Sequence, residues 1–323
     1  MNSKISKVTM VDPYKYSAWP LIGTVHGKLI CTYTVADQHG ATQTAICMKT
    51  SETNGQTWSE AKEIFTEKLG VKGLTGMGYN AEGEMLLWYR NGEREAIPGA
   101  HQLYKTDGEN VTLVSSPNFS FRGGHIGNIL RVPGKGLFAF YNTYGDIRSW
   151  GVLKSADEGL TWTQHPIEEN ILKCESPAEI EGACLEGDKI LVLGRKDDDK
   201  GTIAMFQIQS CDKGETWTKA YTNITDAYGN SPSVIYDNKT GNIHLYYFVR
   251  FGGQLKRRVV KLSDVWDSPL NWSEPEILET EPYGGWDTGN VKTTRIGDKH
   301  FCTYYAGTPT TTGVYGVIVK EKI

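Results

Sequence analysis

The chain repeats one short pattern six times, and this repetition is the feature that most constrains its fold. A turn glycine precedes an apolar run at six positions spaced 51 to 56 residues apart, namely Gly27, Gly83, Gly136, Gly187, Gly241 and Gly297. A period of about 50 residues built from short strands and turns is typical of propeller blades. We therefore predict an all-β chain that forms a single domain over residues 1–323, a six-bladed β-propeller whose blades each hold four antiparallel strands.

The two ends of the sequence complement each other. The last period begins near Tyr283 and has apolar runs for only three strands before the sequence ends. The missing strand is predicted at residues 5–11, near the other end. Pairing this N-terminal strand into the last blade would close the ring and leave no open sheet edge.

A second pattern recurs in the turns between the predicted third and fourth strands. The sequence S-x-D-x-G-x-T-W occurs at 155–162 and 210–217, Thr53 replaces the aspartate at 51–58, and 263–272 is a stretched version. In such a turn the aspartate caps backbone amides, the glycine adopts positive φ and the tryptophan packs between strands. We interpret these aspartates as structural rather than catalytic.

These turns resemble the Asp boxes of the sialidase superfamily, and the resemblance extends over essentially the whole chain. Because the boxes join third to fourth strands, they mark one face of the disc, and we expect the axial pocket on the opposite face. Segment 179–195 resembles the family segment that starts with a glutamate of the catalytic pair and ends with an arginine that binds the substrate carboxylate, which implies these roles for Glu179 and Arg195. Asp37 resembles the acid/base aspartate of the family, and Arg250, or Arg257 in the same period, resembles the second arginine.

The sequence departs from the sialidase pattern at two positions. Residues 17–20 read Ser-Ala-Trp-Pro, so that Ala18 stands where the family has its first arginine. Gly289 stands about where the nucleophilic tyrosine belongs, and Tyr283 is nearby but out of register. The carboxylate clamp is then incomplete and a covalent intermediate of the usual type cannot form. We therefore do not expect an orthodox sialidase.

The loops before the first strand and after the second strand of each period should meet at the axial face. They bring acids, arginines and aromatic residues together, a mixture that suits a sugar. The predicted substrate-binding residues are Trp19, Arg90, Tyr141, Arg195, Arg250, Arg257, Tyr283, Trp286, Asp287 and Tyr305. Structural interpretations remain open for several of them: arginines paired with nearby acids such as Asp197, Glu179 accepting backbone amides, and tryptophans capping the core.

Other classes of site find little support in the sequence. His125 has no second ligand at chelating spacing and no HExxH, GxSxG, P-loop or EF-hand pattern is present, so we expect no metal and no cofactor. Cys31, Cys184 and Cys302 lie in apolar runs without CxxC spacing, which indicates buried thiols. A net charge of −4 without a basic cluster argues against nucleic acid, and no run of 18 apolar residues predicts membrane insertion.

We predict that the axial face recognises a glycan, as a cell-surface or wall polymer. The N-terminus lacks the apolar stretch of a signal peptide, which favours a cytoplasmic protein or a phage tail component that binds a host wall polymer. In the latter setting a homo-oligomer, a trimer, would add avidity. The alternatives are a glycoside hydrolase or lyase with Asp37 and Glu179 as acid and base, and a protein-interaction propeller.

Overall fold

The computed structural model describes residues 3–13, 15–39, 41, 44–67, 71–91, 100–121, 124–197, 204–227, 231–285, 287–308 and 310–321. Within these residues the chain is almost entirely β-structure, as predicted. Each sequence period, here called a repeat and numbered from the N-terminus, contributes consecutive antiparallel strands. An N-terminal strand and the first repeat supply β1 (Lys4–Val11), β2 (Tyr16–Val25), β3 (Lys28–Ala36), β4 (Thr44–Ser51) and β5 (Lys62–Glu67).

Repeats two to five each form a separate four-stranded sheet with its strands paired in chain order. The second contains β6 (Val71–Tyr79), β7 (Met85–Asn91), β8 (His101–Thr106) and β9 (Val111–Ser115). The third contains β10 (His125–Val132), β11 (Gly136–Asn142), β12 (Ile147–Ser155) and β13 (Thr163–Leu172). The fourth contains β14 (Pro177–Cys184), β15 (Ile190–Lys196), β16 (Phe206–Ser210) and β17 (Thr218–Tyr221). The fifth contains β18 (Ser233–Asp237), β19 (Asn242–Val249), β20 (Gln254–Lys261) and β21 (Glu276–Thr280).

The first and last repeats do not form separate sheets. The last repeat supplies β22 (Gly289–Ile296), β23 (Lys299–Gly307) and β24 (Thr312–Lys320), and these strands join β1 to β5 in one eight-stranded sheet. A single parallel bridge between Tyr16 and Thr312 makes the connection, because the Thr312 amide donates to Lys15 O over 3.1 Å. The structure therefore shows four separate blades in a propeller arrangement rather than the six separate blades predicted.

The N-terminal strand pairs with the last strand, as predicted. β1 runs antiparallel to β24, with Lys4 opposite Val319 and Val11 opposite Val314. Ion pairs also tie β1 to the end of the fifth repeat, because Lys4 Nζ lies 2.5 Å from Glu279 Oε2 and Lys7 Nζ lies 2.5 Å from Glu281 Oε1. The two ends of the sequence thus share one sheet, and the outer edge of β24 is covered.

The Asp-box turns connect neighbouring repeats. In the third repeat, Asp157 Oδ1 accepts the Thr161 amide over 2.9 Å, which confirms its structural role. The box tryptophans pack on the second strand of the preceding repeat: the ring pairs are Trp58 with Phe301, Trp162 with Trp88, and Trp217 with Phe140. The stretched version in the fifth repeat folds into a short helix, α1 (Leu262–Trp266), and still buries Trp272. The boxes therefore stabilise the packing between repeats.

The inner strands approach one another so closely that only glycine fits at two positions. A Cβ at Gly76 would lie 1.9 Å from Gly127 O, and a Cβ at Gly127 would lie 1.8 Å from Ile180 O. Glycine within a strand often marks such a close approach of another backbone. Strands β6, β10 and β14 thus converge towards the axis, and the side chains at their ends share one face.

The cysteines of the apolar runs are buried where the structure describes their side chains. Cys31 and Cys302 are buried free thiols, as predicted, whereas the side chain of Cys184 lies outside what the structure describes. No helix of the described chain is both long and apolar enough to cross a bilayer.

Candidate functional site

The first strands bulge where they reach the axial face. The register shifts between Ala18 and Leu21 in β2, between Ala178 and Glu181 in β14, and between Gly289 and Lys292 in β22. The residues inside these bulges, Trp19, Glu179 and Asn290, have φ values of 53°, 46° and 51°. Non-glycine residues rarely adopt this left-handed conformation, and bulges redirect side chains. Three repeats thus hold strained residues at equivalent positions, which is typical of functional sites.

Glu179 is the acid at the centre of this face. Its Oε1 atom lies 2.8 Å from Arg195 Nη1, and the Ser231 hydroxyl donates to its Oε2 atom. Its backbone amide donates to Asn142 Oδ1 over 2.9 Å, which holds the bulge in place. Burial opposes ionisation, but the charges of Arg195 and Arg250 and the hydrogen bond from Ser231 outweigh it and lower the pKa of Glu179. Glu179 is therefore a carboxylate near neutral pH, and its partners are side chains rather than the backbone amides of the alternative interpretation.

Arg195 belongs to a chain of alternating charges. Its Nε atom lies 2.9 Å from Asp197 Oδ1, and Asp197 Oδ2 lies 2.9 Å from Arg148 Nη1. Both edges of the Arg195 guanidinium thus face carboxylates, Glu179 on one side and Asp197 on the other. The predicted alternative, in which Arg195 pairs with Asp197, is present together with the pairing to Glu179. Arg195 is consequently fixed in position and largely neutralised.

Arg250 is less neutralised by acidic partners than Arg195 is. Its Nε atom donates to the Thr288 carbonyl oxygen over 3.1 Å, which is a neutral partner. Burial and the nearby positive charge of Arg195 lower the pKa of Arg250, whereas Tyr305, Glu179 and Asp287 raise it. Two guanidinium groups are therefore close enough to repel each other around one carboxylate. We call Glu179, Arg195, Ser231 and Arg250 the arginine site.

Further cations surround the arginine site. Arg90 is 8% exposed and lies over the Tyr144 ring, with 5.2 Å between its Cζ atom and the ring centroid. Lys292 is buried against Glu181, and burial lowers the pKa of Lys292 to about 8 although Glu179 raises it. Together with Arg195 and Arg250, these cations give the centre of the face a positive electrostatic potential around its paired acids. An anion would be attracted there.

A neutral histidine faces this group of charges. Burial lowers the pKa of His125 to about 3; the charge of Glu179 opposes the shift, and Lys292, Arg195 and Arg90 add to it. Its Nδ1 atom is buried and has no hydrogen-bond partner among the described residues. No group of three or more potential metal ligands occurs in the described residues either. His125 is thus a neutral polar group beside the arginine site.

A second acid, Asp287, accepts three hydrogen bonds at one oxygen. Tyr305 and Tyr16 donate their hydroxyls to Oδ1 over 2.7 and 2.8 Å, and His39 Nδ1 lies 3.0 Å from the same atom. Burial opposes ionisation of Asp287, but these partners and the charge of His39 lower its pKa. The Trp19 ring packs on His39 with 5.3 Å between ring centroids. This Asp287 cluster, comprising Asp287, Tyr16, Tyr305 and His39, adjoins the arginine site through Arg250.

Several candidate residues lie elsewhere. Asp37 is exposed in the turn after β3, and the structure does not place it against Glu179. Tyr141 is 1% exposed and stacks on Phe121 in the core, so it cannot contact a ligand. Arg257 is also buried. Its Nη1 atom donates to Lys320 O and its Nη2 atom donates to Glu276 Oε2, each over 2.8 Å, so Arg257 ties the third strand of its repeat to β24. Tyr283 is exposed, and Trp286 lies outside the described residues.

Sequence reasoning missed several members of the site. His39, Ser231, Tyr16 and Arg148 were not proposed, although His39 lies two residues after Asp37 in the turn that was singled out. Asp197 was named only as a possible partner of an arginine, and it lies between two arginines, Arg195 and Arg148. The sequence indicates that this turn follows a second strand, which places it on the axial face. It does not indicate which side chains of the turn point towards the axis.

The fold and this ring of paired acids and arginines define a sialidase-like β-propeller. A profile of the BNR repeat-like domain family matches residues 27–304, so the chain belongs to that family. Comparison with curated protein sequences finds no match.

Three solved structures show the similarity of the fold. A protein of unknown function from Dyadobacter fermentans matches with a TM-score of 0.81 and 15% identity over 99% of each chain. The NanB sialidase from Streptococcus pneumoniae matches with a TM-score of 0.69 and 13% identity over 99% of this chain and 70% of that chain. The α-L-arabinofuranosidase Arb93A from Fusarium graminearum matches with a TM-score of 0.68 and 12% identity over 98% of each chain.

Proposed function

We propose that this propeller binds a glycan on its axial face and that the sugar in the arginine site carries a carboxylate. The supporting observation is Arg250, whose guanidinium bonds a neutral carbonyl while it lies close to Arg195 and Glu179. A ligand carboxylate would add a charged partner at the Arg250 guanidinium, and an arginine fork matches a carboxylate in shape. Glu179, held as a carboxylate, would accept sugar hydroxyls. Two of the structural neighbours are named as glycosidases, a sialidase and an arabinofuranosidase.

Calorimetric titration tests the proposal directly. The probes are N-acetylneuraminic acid and glucuronic acid as acidic sugars and lactose as a neutral one. We expect an acidic sugar to bind and lactose not to bind. Arg250→Met should weaken binding of the acidic sugar by at least about tenfold, because a charge-assisted hydrogen bond contributes about 1.5–3 kcal/mol.

Arg131→Met is the matched control. Arg131 is a surface arginine paired with Glu158 of the third-repeat box, on the face opposite the axial loops. This variant makes the same chemical change away from the site and should bind like the wild type. Binding that is equal for lactose and the acids, or unchanged in Arg250→Met, would contradict the proposal.

A second candidate function, glycoside hydrolysis, is favoured by the Asp287 cluster. Hydrolysis needs a group that protonates the leaving oxygen while water adds to the anomeric carbon. Glu179 and Asp287 both have lowered pKa values and so do not hold a proton near neutral pH. A histidine can do so, and His39 is oriented by Asp287 in the way that an acid/base histidine is oriented by a carboxylate. We therefore propose His39, rather than the exposed Asp37, as the acid, with Glu179 as the base that takes the proton of the water.

Reducing-sugar release from acidic polysaccharides distinguishes the two functions. A hydrolase should release sugar, and His39→Gln should abolish release while binding persists. Gln keeps a polar group of similar length but cannot transfer a proton. Retention of polymer without release, in wild type and variant alike, would leave the binding function and exclude hydrolysis by this pair.

The proposal extends to architecture and setting. We propose that the eight-stranded sheet acts as two blades, since one bridge at Tyr16 and Thr312 joins its halves, and that the propeller is therefore six-bladed. We also propose a cell-surface or wall polymer as the natural ligand, as for a receptor-binding phage tail protein. A trimer would then raise the apparent affinity by multivalent binding, and light scattering measures that state.

A further inference from the structure

Asp197 lies between two arginines that come from different repeats. Its Oδ1 atom lies 2.9 Å from Arg195 Nε in the fourth repeat, and its Oδ2 atom lies 2.9 Å from Arg148 Nη1 in the third. Arg148 is 5% exposed, and its Nε atom donates to the Gly145 carbonyl oxygen over 2.9 Å. The Asp197 carboxylate is therefore fixed from two sides. Neither the binding function nor the hydrolytic one uses it.

The position of Asp197 beside Arg195 follows from strand geometry. Side chains two residues apart on an extended chain point to the same side, so Asp197 falls on the side of β15 that carries Arg195. Arg195 pairs in register with Ala178, and the left-handed residue Glu179 follows Ala178 on β14. The hairpin thus places one carboxylate at the Nε atom of Arg195 and another at its Nη1 atom.

The charges of these acids are concentrated on one guanidinium. Burial opposes ionisation of Asp197, but the charge of Arg195 and the hydrogen bond from Arg148 lower the pKa of Asp197. Burial also disfavours the charge of Arg195, but Glu179 and Asp197 outweigh it and raise the pKa of Arg195. A ligand carboxylate that approached Arg195 would therefore meet two like charges at the guanidinium.

Arg250 has different electrostatic surroundings. Its Nε atom donates to the Thr288 carbonyl oxygen, which is neutral, over 3.1 Å. Burial and the positive charge of Arg195 lower the pKa of Arg250, although nearby acidic groups oppose the shift. The protein thus favours a positive charge at Arg195 and disfavours one at Arg250. A bound anion would relieve this cost at Arg250, whereas at Arg195 the protein acids already do so.

We infer that Asp197 is a specificity-determining residue, because it directs the ligand carboxylate to Arg250 instead of Arg195. Asp197 occupies the Nε side of Arg195 and keeps this guanidinium engaged with protein acids. Arg195 then acts as a positioning residue that holds Glu179. The inference rests on the proposed function and gives its two arginines separate roles, whereas the sialidase resemblance implies carboxylate binding by Arg195.

Removal of the Asp197 charge tests the inference. The probe is N-acetylneuraminic acid, or glucuronic acid if the uronate is the acid that binds, and calorimetry measures its affinity. Asp197→Asn keeps the size of the side chain but not its charge, so it should bind the probe about fivefold more tightly than the wild type. A purely structural role of Asp197 predicts a loss of affinity instead. Asp197→Ser removes the same charge and should show the same gain if the asparagine variant does not fold.

A double variant with Asp197→Asn and Arg250→Met tests whether Arg195 can take over the ligand carboxylate. In the wild-type background Arg250→Met should weaken binding at least about tenfold. In the Asp197→Asn background it should weaken binding only about threefold, because Arg195 is then available to the ligand. Calorimetry on the four proteins of this cycle measures the coupling. Equal losses in the two backgrounds would overturn the inference.

Asp188→Asn is the matched control. Asp188 is an exposed acid that lies 3.3 Å from Lys213 Nζ in the Asp box of the fourth repeat, on the face opposite the axial loops. This variant makes the same chemical change away from the site and should bind the probe like the wild type. A gain equal to that of Asp197→Asn would overturn the inference, because net charge alone would then explain it.

The inference and the proposed function fail in different ways. If folded Asp197→Asn binds the probe no more tightly than the wild type while Arg250→Met still weakens binding, the role of Asp197 is wrong and the proposed function stands. A wild type that binds neither acidic probe overturns the proposed function, and the inference with it.

Discussion

The Nη1 atom of Arg195 lies 2.8 Å from Oε1 of Glu179, and the two residues belong to adjacent strands of one hairpin. In this hairpin Ala178 pairs with Arg195 across β14 and β15, and the bulge that follows turns the Glu179 side chain towards the guanidinium. The ion pair is therefore encoded by strand register and one left-handed residue. This local origin makes the pair a sensitive target for substitution.

Glu179→Gln should weaken binding of the acidic sugar about tenfold without preventing folding. Glutamine keeps the size of the side chain and an acceptor for the Ser231 hydroxyl. It removes the negative charge that strengthens hydrogen bonds from sugar hydroxyls. Arg195 keeps its contact with Asp197. Calorimetry measures the affinity, and urea unfolding shows whether the fold persists. If the wild type releases sugar and Glu179→Gln binds normally without release, Glu179 is a catalytic base instead.

The fold was predictable because its signals are local and repeated. The spacing from Gly27 to Gly297 predicted strands that the structure contains, and the three-strand last repeat predicted the pairing of β1 with β24. The sialidase resemblance of segment 179–195 implied roles for both Glu179 and Arg195, and the structure pairs them within one hairpin. The strands and the Glu179–Arg195 pair depend on register within one repeat, and the pairing of β1 with β24 follows from the count of strands in the last repeat.

The remaining parts of the site depend on contacts between repeats. His39 of the first repeat contacts Asp287 of the last repeat. Ser231 of the fifth repeat donates a hydrogen bond to Glu179 of the fourth repeat. Tyr141 and Arg257 occupy positions in their strands that seemed suitable, but packing against neighbouring sheets buries them. No local pattern encodes such contacts, because they depend on how the sheets are placed around the axis.

Gly159→Ala should destabilise the protein by about 3 kcal/mol, since it combines backbone strain with overpacking. Gly159 has a φ of +90°, and a Cβ there would lie 2.5 Å from Leu103 Cδ2 in the preceding repeat. Gly83→Ala is the control, because Gly83 has a φ of +79° and nothing within 4 Å of the added Cβ. It should cost only about 1 kcal/mol, from the backbone alone. Urea unfolding measures both, and equal losses would show that the box glycine has no packing role.

Removal of residues 1–11 should cost a large part of the stability. Met10 and Val11 are 3% and 8% exposed, and the loss of their burial alone costs about 3–6 kcal/mol. The deletion would also expose the edge of β24 and promote aggregation. Ile5→Ser is the control, because Ile5 is 43% exposed on the same strand. Thermal unfolding measures the loss of stability in both variants. A truncated protein that melts at the same temperature as the wild type would show that β1 does not close the sheet.

Acid should destabilise the protein through its buried neutral histidines. His300 is 0% exposed and shares a 2.6 Å hydrogen bond with the Tyr246 hydroxyl. Burial lowers the pKa of His300 to about 3, and the neighbouring Arg295 and Arg257 add to this shift against the opposing charge of Asp237. Its Nε2 atom lies 3.2 Å from Glu321 Oε1. The unfolded chain binds a proton at His300 below about pH 6.5, whereas the folded protein does not until about pH 3.

The unfolded state therefore binds more protons between these two values, so stability is complete above about pH 6.5 and falls as the pH drops towards 3. The slope should be about 1.4 kcal/mol per pH unit for each such histidine. His300→Gln should remove one such contribution from the slope, whatever its effect on stability at pH 7. Urea unfolding between pH 7 and pH 4 measures the slopes. Equal slopes in wild type and His300→Gln would mean that His300 is already protonated in the folded protein, paired with Glu321.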